Sequence, residues 1–391
     1  MAEQPRTTPP ARQKAGQPLI VGAGPVGLTA ALKLAQAKHA VRIIDRNPSP
    51  NAESRALLMS HNALAQLHDT GLAGKLLGIG HVVRGMKLTI NGKPKAQLEF
   101  DFFPHKLKGL LVVPQNLTER ILADALREMG VVVERRTELV QATMNPQGGD
   151  VQLKTGDAYE TCHVSWLIGA DGAQSDLRKM LDFELKGSAP ASKWSMIDID
   201  LGEQADPNRM EIRIARQAPT LIRIPMGHGR HRVMCLAADV REMIPDHWQA
   251  GRIHWQAWFD AVQRNTESRI NGRAAIIGDA AHQNLPLGCR GMNLGIEDAV
   301  TLTEIINDVA SQEIKVLTSG RDEQSRTLFR GWERDRVART RASLAVSRRM
   351  ETLVTRPTGW QLFKLPLALR FIGLLPALRR EALSLLTDLR Q

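Results

Sequence analysis

The sequence predicts an α/β fold: a Rossmann-like domain, an inserted antiparallel-sheet domain and a C-terminal helical segment. Three observations predict it. Residues 19–45 run apolar strand, glycine-rich turn, helix, second strand. Two later apolar runs, at 166–169 and 274–277, lead into an Asp-Gly and a Gly-Asp pair. Between these lie two stretches of short extended runs, 82–100 and 193–240.

The totals are compatible with that class. At 391 residues the chain is long enough for one large or two modest domains. Its 43% hydrophobic and 24% charged residues are ordinary for a globular protein. The three cysteines, Cys162, Cys235 and Cys289, fit neither a zinc ribbon nor a disulfide framework. A reducing, cytoplasmic location without a metal is therefore expected. Residues 1–17 lack an apolar signal core and read as a disordered leader, and no apolar run is long enough to predict a membrane span. Of the net charge of +11, residues 321–391 carry 15 basic against 7 acidic side chains, or +8. That placement argues against a nucleic-acid surface and for a basic helical tail.

The elements follow in order. Residues 19–22 predict a buried strand, Leu28 to Ala37 a helix and 40–45 a second strand. Helical periodicity covers 57–69 and 115–129, with Gly130 as the stop and 131–136 as a strand. Asn91-Gly92 predicts a hairpin within 82–100. Four strand-like runs fill 193–240, so the two separated stretches are expected to share one antiparallel sheet. From 325 onward the chain reads as helices broken by Pro357, Pro366 and Pro376.

The first motif is Gly22-Ala23-Gly24-Pro25-Val26-Gly27, with Asp45 eighteen residues beyond the last glycine. Gly22 allows the tight turn, Gly24 lets a pyrophosphate approach, and Gly27 lets helix and strand pack closely. The helix N-terminus offers free amides to phosphate, and Asp45 can bind ribose hydroxyls, which favours FAD or NAD over NADP. The second, "WLIGADGAQSDLRKML" (166–181), places Asp171-Gly172 after a strand; alone it also fits a β-turn with Ser175 as N-cap. The third, 272–300, delivers Gly278-Asp279 from a strand into a glycine-rich loop that ends at Gly291 and Asn293, with a helix from about Leu294. Ligands bind beyond the carboxyl ends of such strands.

Together and in this order, the three motifs resemble the class A FAD-dependent monooxygenases, the p-hydroxybenzoate hydroxylase-like aromatic hydroxylases, from about residue 18 to 390. The resemblance implies FAD on Gly22, Gly24, Gly27, Asp45, Arg46, Arg55, Gln115, Asp171 and Asp279. It sets Pro286, Gly288, Gly291, Met292 and Asn293 around the isoalloxazine ring, with Pro286, Gly288 and Gly291 next to the reacting centre. It implies an FAD-binding domain of 18–80, 105–183 and 270–320, a substrate domain of 81–104 and 184–269, and C-terminal helices over 321–391. It further implies that NADH or NADPH, as a transient reductant, and O2 produce a flavin C4a-hydroperoxide that hydroxylates an aromatic or polycyclic phenol-like small molecule.

Some residues depart from the family pattern. Gln174 stands where Arg or His often precedes the serine, and the ring loop reads Gly288-Cys289-Arg290-Gly291. No second GxGxxG provides a nicotinamide domain. Tyr159, the one tyrosine, falls on a surface hairpin, so no tyrosine relay is expected, and no catalytic base is assigned among His61, His228 and His231. His282 is expected to order its loop, and Trp255 and Trp258 to share a helical face. The tail 365–391 reads as a helix covering the FAD domain or as a contact with an anionic membrane surface. Two other readings keep the fold: an FAD-dependent reductase of isoprenoid double bonds, and a non-catalytic FAD- or ligand-binding protein.

Overall fold

A computed structural model describes residues 16–50, 56–100, 108–188, 193–215, 218–236, 238–260, 262–285, 290–315, 321–355 and 358–374. Most of the expected leader, together with Arg55, Pro286, Gly288, Cys289 and the tail from 375, lies outside these residues.

The nucleotide-binding half grows from a parallel core. Strand β1 (Gln17–Val21), helix α1 (Pro25–Gln36) and strand β2 (Arg42–Asp45) form the predicted βαβ start. Pro25 opens α1, where its missing N–H costs nothing and its fixed φ suits the first turn. The helix therefore begins three residues before the expected Leu28. On one side β1 pairs in parallel with β2; on the other it pairs with the strand Ala158–Gly169, which in turn pairs in parallel with Ala274–Ile276. The strands are almost wholly apolar because both faces are covered: Leu19, Ile20, Ile43, Leu167 and Ile168 are all fully buried. Of the expected strand 131–136 only Glu134–Arg135 joins this sheet, beside β2. Two antiparallel strands, Thr137–Asn145 and Gly148–Thr155, extend it from the first half of Ala158–Gly169.

The inserted half is a seven-stranded sheet. Its order is Ile253–Asp260, Lys193–Asp200, Arg230–Leu236, Leu221–Gly227, Arg209–Ile214, Gly85–Ile90 and Lys93–Glu99. The two separated pieces of chain do share it, as expected. They meet where Arg209–Ile214 runs parallel to Gly85–Ile90, the one parallel pairing of a sheet otherwise antiparallel. Asn91 and Gly92 both adopt positive φ, 48° and 76°, the requirement of a type I′ hairpin turn.

Several expectations are corrected. Residues 253–260 form an edge strand, not a helix. Trp255 and Trp258 thus point to opposite faces: Trp255 is half-buried, whereas Trp258 is 46% exposed. Within 57–69 the helix runs only over His61–Gln66, because Leu58–Met59 pairs as a strand and Ser60 caps the helix by accepting from Ala63 N at 3.1 Å. Pro366 does not break the helix Gly359–Leu374. Leu362, Leu365 and Leu369 hold that helix against Leu88, Ile90 and Ile214, and this packing outweighs the backbone bond that a proline removes. The opposite face shows Trp360 and Phe363, stacked at 6.1 Å and each about two-thirds exposed.

The helix Arg321–Thr355 lies over the parallel half, burying Phe329 and Trp332; Trp166 meets Phe329 at 4.6 Å. Among the described residues no helix is long and apolar enough to cross a membrane.

Candidate cofactor site

The three motif turns lie side by side. Register makes this inevitable: Val21 pairs with Gly169, and Gly169 with Ile276, so the strands carrying the motifs end level with one another. Beyond these ends a cavity of about 230 Å³ is lined by Gly22–Gly24, Asp45, Arg46, Gln115, Asp171 and Gly172, among others.

The glycines behave as their spacing requires. Gly22 sits at φ +101°, and a Cβ there would lie 2.7 Å from the Ala170 carbonyl carbon. A Cβ on Gly27 would strike the Gly22 carbonyl oxygen, whereas one on Gly24 would meet nothing within 4 Å. Backbone is thus packed tightly behind the turn and open in front of it. The first-turn amides of α1 have no intrahelical acceptors and suit an anion.

Asp45 braces this turn. Its Oδ2 accepts from Ala23 N at 2.8 Å, its Oδ1 accepts from Asn47 N at 2.8 Å, and Arg135 lies 3.6 Å away. Arg46 pairs with Asp176 at 3.0 Å, linking the first motif to the second. Gln115 accepts from Ala56 N at 3.1 Å and donates to Glu119 at 2.9 Å; burial pushes the Glu119 carboxyl above its ordinary range. Asp171 Oδ2 accepts from the amides of Asp176 and Leu177, while its Oδ1 is buried with no partner. Burial raises the Asp171 carboxyl despite those bonds. An open cradle, free helix-end amides and an orphaned buried acceptor fit the adenosine–pyrophosphate half of FAD.

The third motif is built differently from the expectation. A short helical turn, Gly278–Ala280, follows the strand, and the next helix already starts at Arg290, four residues before Leu294. Gly291, Met292 and Asn293 therefore sit in its first turn rather than in a loop. Asp279 is exposed beside Gly291: its Oδ1 is 3.7 Å from where a Gly291 Cβ would stand. Asn293 is buried and occupied, accepting from Ser60 N at 2.9 Å and donating to Leu58 O at 3.0 Å.

Sequence reading missed the buried ion cluster beneath this motif. Asp298 accepts from Gly278 N at 3.2 Å, His282 Nε2 at 2.8 Å, Arg336 Nε at 2.6 Å and Arg269 at 3.4 Å. All four side chains are at most 1% exposed. Burial alone would raise the Asp298 carboxyl, but Arg336, His282 and Arg269 outweigh it and hold it far below the usual carboxylate range. His282 orders the loop, as expected. An acid between Ile296 and Val300, both buried, was the available signal: charge on an apolar helix face needs a partner. Arg178 was also missed; it donates to Ala280 O and Ala173 O at 3.0 Å each, tying the second motif to the third.

The seven-stranded sheet turns one apolar face to the parallel half. Trp194, Met196, Ile222, Ile224 and Met234 share a core there with Leu57, Val112 and Leu285. On that face Arg232 donates to both oxygens of Asp198, at 2.7 and 2.8 Å, and stacks 5.0 Å from Trp255. Tyr159 is exposed on its strand, His231 is buried against Arg223 on the other face of the sheet, and His228 occupies a turn. Among the described residues no cluster of His, Cys, Asp and Glu could hold a metal ion.

A family model described as an FAD binding domain matches residues 16–242 and 234–316. The 6-methylpretetramide 4-monooxygenase of Streptomyces rimosus is 30% identical over 313 residues, covering 75% of this chain and 56% of that protein. The dialkyldecalin synthase of Streptomyces rugosporus is 28% identical over 320 residues, covering 73% of this chain and 63% of that protein. The chain thus spans about three-fifths of the length of these relatives. The crystal structure of p-nitrophenol 4-monooxygenase from Pseudomonas putida superposes with a TM-score of 0.84 at 18% identity, covering 96% of this chain and 99% of that one.

Proposed function

The chain belongs to the FAD binding domain family that it shares with aromatic monooxygenases, and from that premise we propose that it uses NAD(P)H and O2 to hydroxylate an aromatic or polycyclic phenol-like molecule. One observation carries the reading: three motif turns converge at the carboxyl ends of neighbouring parallel strands.

The redox and oxygen chemistry belongs to FAD. The chain's residues bind, orient and keep water out. In this reading Gly22–Gly24 and the first turn of α1 take the pyrophosphate, Asp45 the adenosine ribose and Asp279 the ribityl hydroxyls. Asn293 is already committed to Ser60 and Leu58, so the head of the 290–315 helix would meet the ring through its backbone. In this reading the Trp194–Met234 face, buried against Leu57, Val112 and Leu285 with the Arg232–Asp198 pair in it, forms the apolar wall of the substrate site and keeps water from it. We read 18–80, 105–183 and 270–320 as the FAD-binding domain, and 81–104 and 184–269 as the substrate domain.

The test is oxygen uptake by the FAD-loaded protein with NADH or NADPH, across phenols, quinolones and tetracyclic polyketides. Uptake that rises with one ligand, and a product heavier by one oxygen, is the expected result. A relative named as a dialkyldecalin synthase supports a second reading, in which the same frame forms a ring without oxidation. That reading requires a product of unchanged mass and no oxygen uptake. Reduction of an alkene, again without oxygen uptake, would return the assignment to the reductase alternative.

A further inference from the structure

Asn284 stands out in the segment that follows the third motif, because both ends of its carboxamide lack a partner. Its neighbours are anchored on both sides: His282 bonds to Asp298, Gln283 donates to Ala173 O at 2.8 Å, and Leu285 is buried in the core between the two sheets. Both polar atoms of the Asn284 carboxamide are shielded from solvent, and neither has a hydrogen-bond partner. Rotating the amide by 180° exchanges one orphan for the other and relieves nothing. A buried amide left unpaired at both ends is costly, and native proteins rarely keep one without a use for it.

Its position suggests the use. The Asn284 Cβ lies 3.9 Å from where a Gly291 Cβ would stand, and Asp279 Oδ1 lies 3.7 Å from the same point. Asp279, Asn284 and Gly291 therefore lie together at the head of the 290–315 helix.

We propose that Asn284 is a ring-recognition residue whose carboxamide pairs with the polar edge of the isoalloxazine. A carboxamide sets an N–H donor beside a C=O acceptor. The pyrimidine edge of a flavin sets a carbonyl beside an N–H, so the two edges complement each other through two hydrogen bonds. Neither Asp279 nor the helix backbone offers that paired donor and acceptor. The inference rests on the FAD reading above.

The test uses the 391-residue chain, stripped of flavin and titrated with FAD, as wild type, Asn284→Leu and Asn284→Asp. Leucine keeps the volume without polarity; aspartate keeps the shape and the acceptor without the donor. Dissociation constants, flavin midpoint potentials and thermal unfolding of the flavin-free chains are measured. Both variants are expected to bind FAD roughly tenfold or more weakly, the loss that one or two hydrogen bonds predict. Their potentials should fall, and the flavin-free Leu variant should be at least as stable as wild type. Binding within twofold of wild type at an unchanged potential would overturn the proposal while leaving the FAD reading intact. Loss of stability in both flavin-free variants would mark a purely structural role and also overturn it. A wild type that takes up no FAD would remove both the proposal and the reading beneath it.

Discussion

At the scale of single residues, Gly27 is the most constrained position of the nucleotide turn. Its missing side chain lets α1 sit directly on the Gly22 carbonyl. Gly27→Ala should therefore lower stability by about 1–3 kcal/mol, the usual cost of overpacking, and purify colourless; a yellow, fully stable variant would show that the turn can retreat. His231 offers a titration test. Burial, with Arg223 beside it, pushes its imidazole down to about 3, whereas an unfolded histidine titrates near 6.5. The unfolded chain then binds the extra proton first, so this stabilisation is complete above about pH 6.5 and is lost as pH falls toward 3. His231→Gln should flatten the dependence of unfolding free energy on pH across that window. A wild-type slope in the variant would assign it to other groups.

At the scale of elements, the Asp298 cluster joins a turn, a strand end and two helices. Removing its charge leaves Arg269 and Arg336 buried together, so Asp298→Asn should cost about 3–5 kcal/mol at neutral pH. Because the folded carboxyl is held low, the stabilisation is present above the unfolded value, about 3.9, and disappears only as pH falls below it. Denaturant titrations at pH 7 and pH 3 should show the gap between variant and wild type narrowing in acid. What the sequence revealed follows the same division. The glycine turn, Asp45, the Asn91-Gly92 hairpin and the Ser175 cap are local patterns, legible because their partners lie within a few residues or one βαβ unit. The strand 253–260 was misread because tryptophans three apart mimic a helical stripe, and only pairing with Lys193–Asp200 decides otherwise. Neither Arg336 nor Arg269 carries any local sign that it is destined for Asp298. The early helix start at Arg290 was hidden by glycines that normally signal a loop.

At the scale of the whole molecule, the helix Arg321–Thr355 is more than a cover. It supplies Arg336 to Asp298, Thr340 to Arg269 at 2.7 Å and Trp332 to Thr301 at 2.9 Å. A chain ending at residue 320 should lose cooperative unfolding and flavin binding together, as calorimetry and absorbance would report. A truncated chain that still binds FAD at wild-type strength would confine this helix to packing. Charge at this scale is uneven, with +8 of the +11 beyond residue 320.

The late arrival of Arg336 also bears on biosynthesis. The first phosphate turn is complete once Asp45 has been made, yet the turn carrying Asp279 stays without one of its two buried arginines until the ribosome has passed residue 336. Domains generally fold from the N-terminus during translation. Here the cofactor half cannot follow that order, because the seven-stranded sheet is threaded through its middle and a further support, Arg336, lies beyond the last of its own strands. Cofactor capture is therefore tied to synthesis of the chain past residue 336, and products that stop short of it would be left as colourless substrates for proteases.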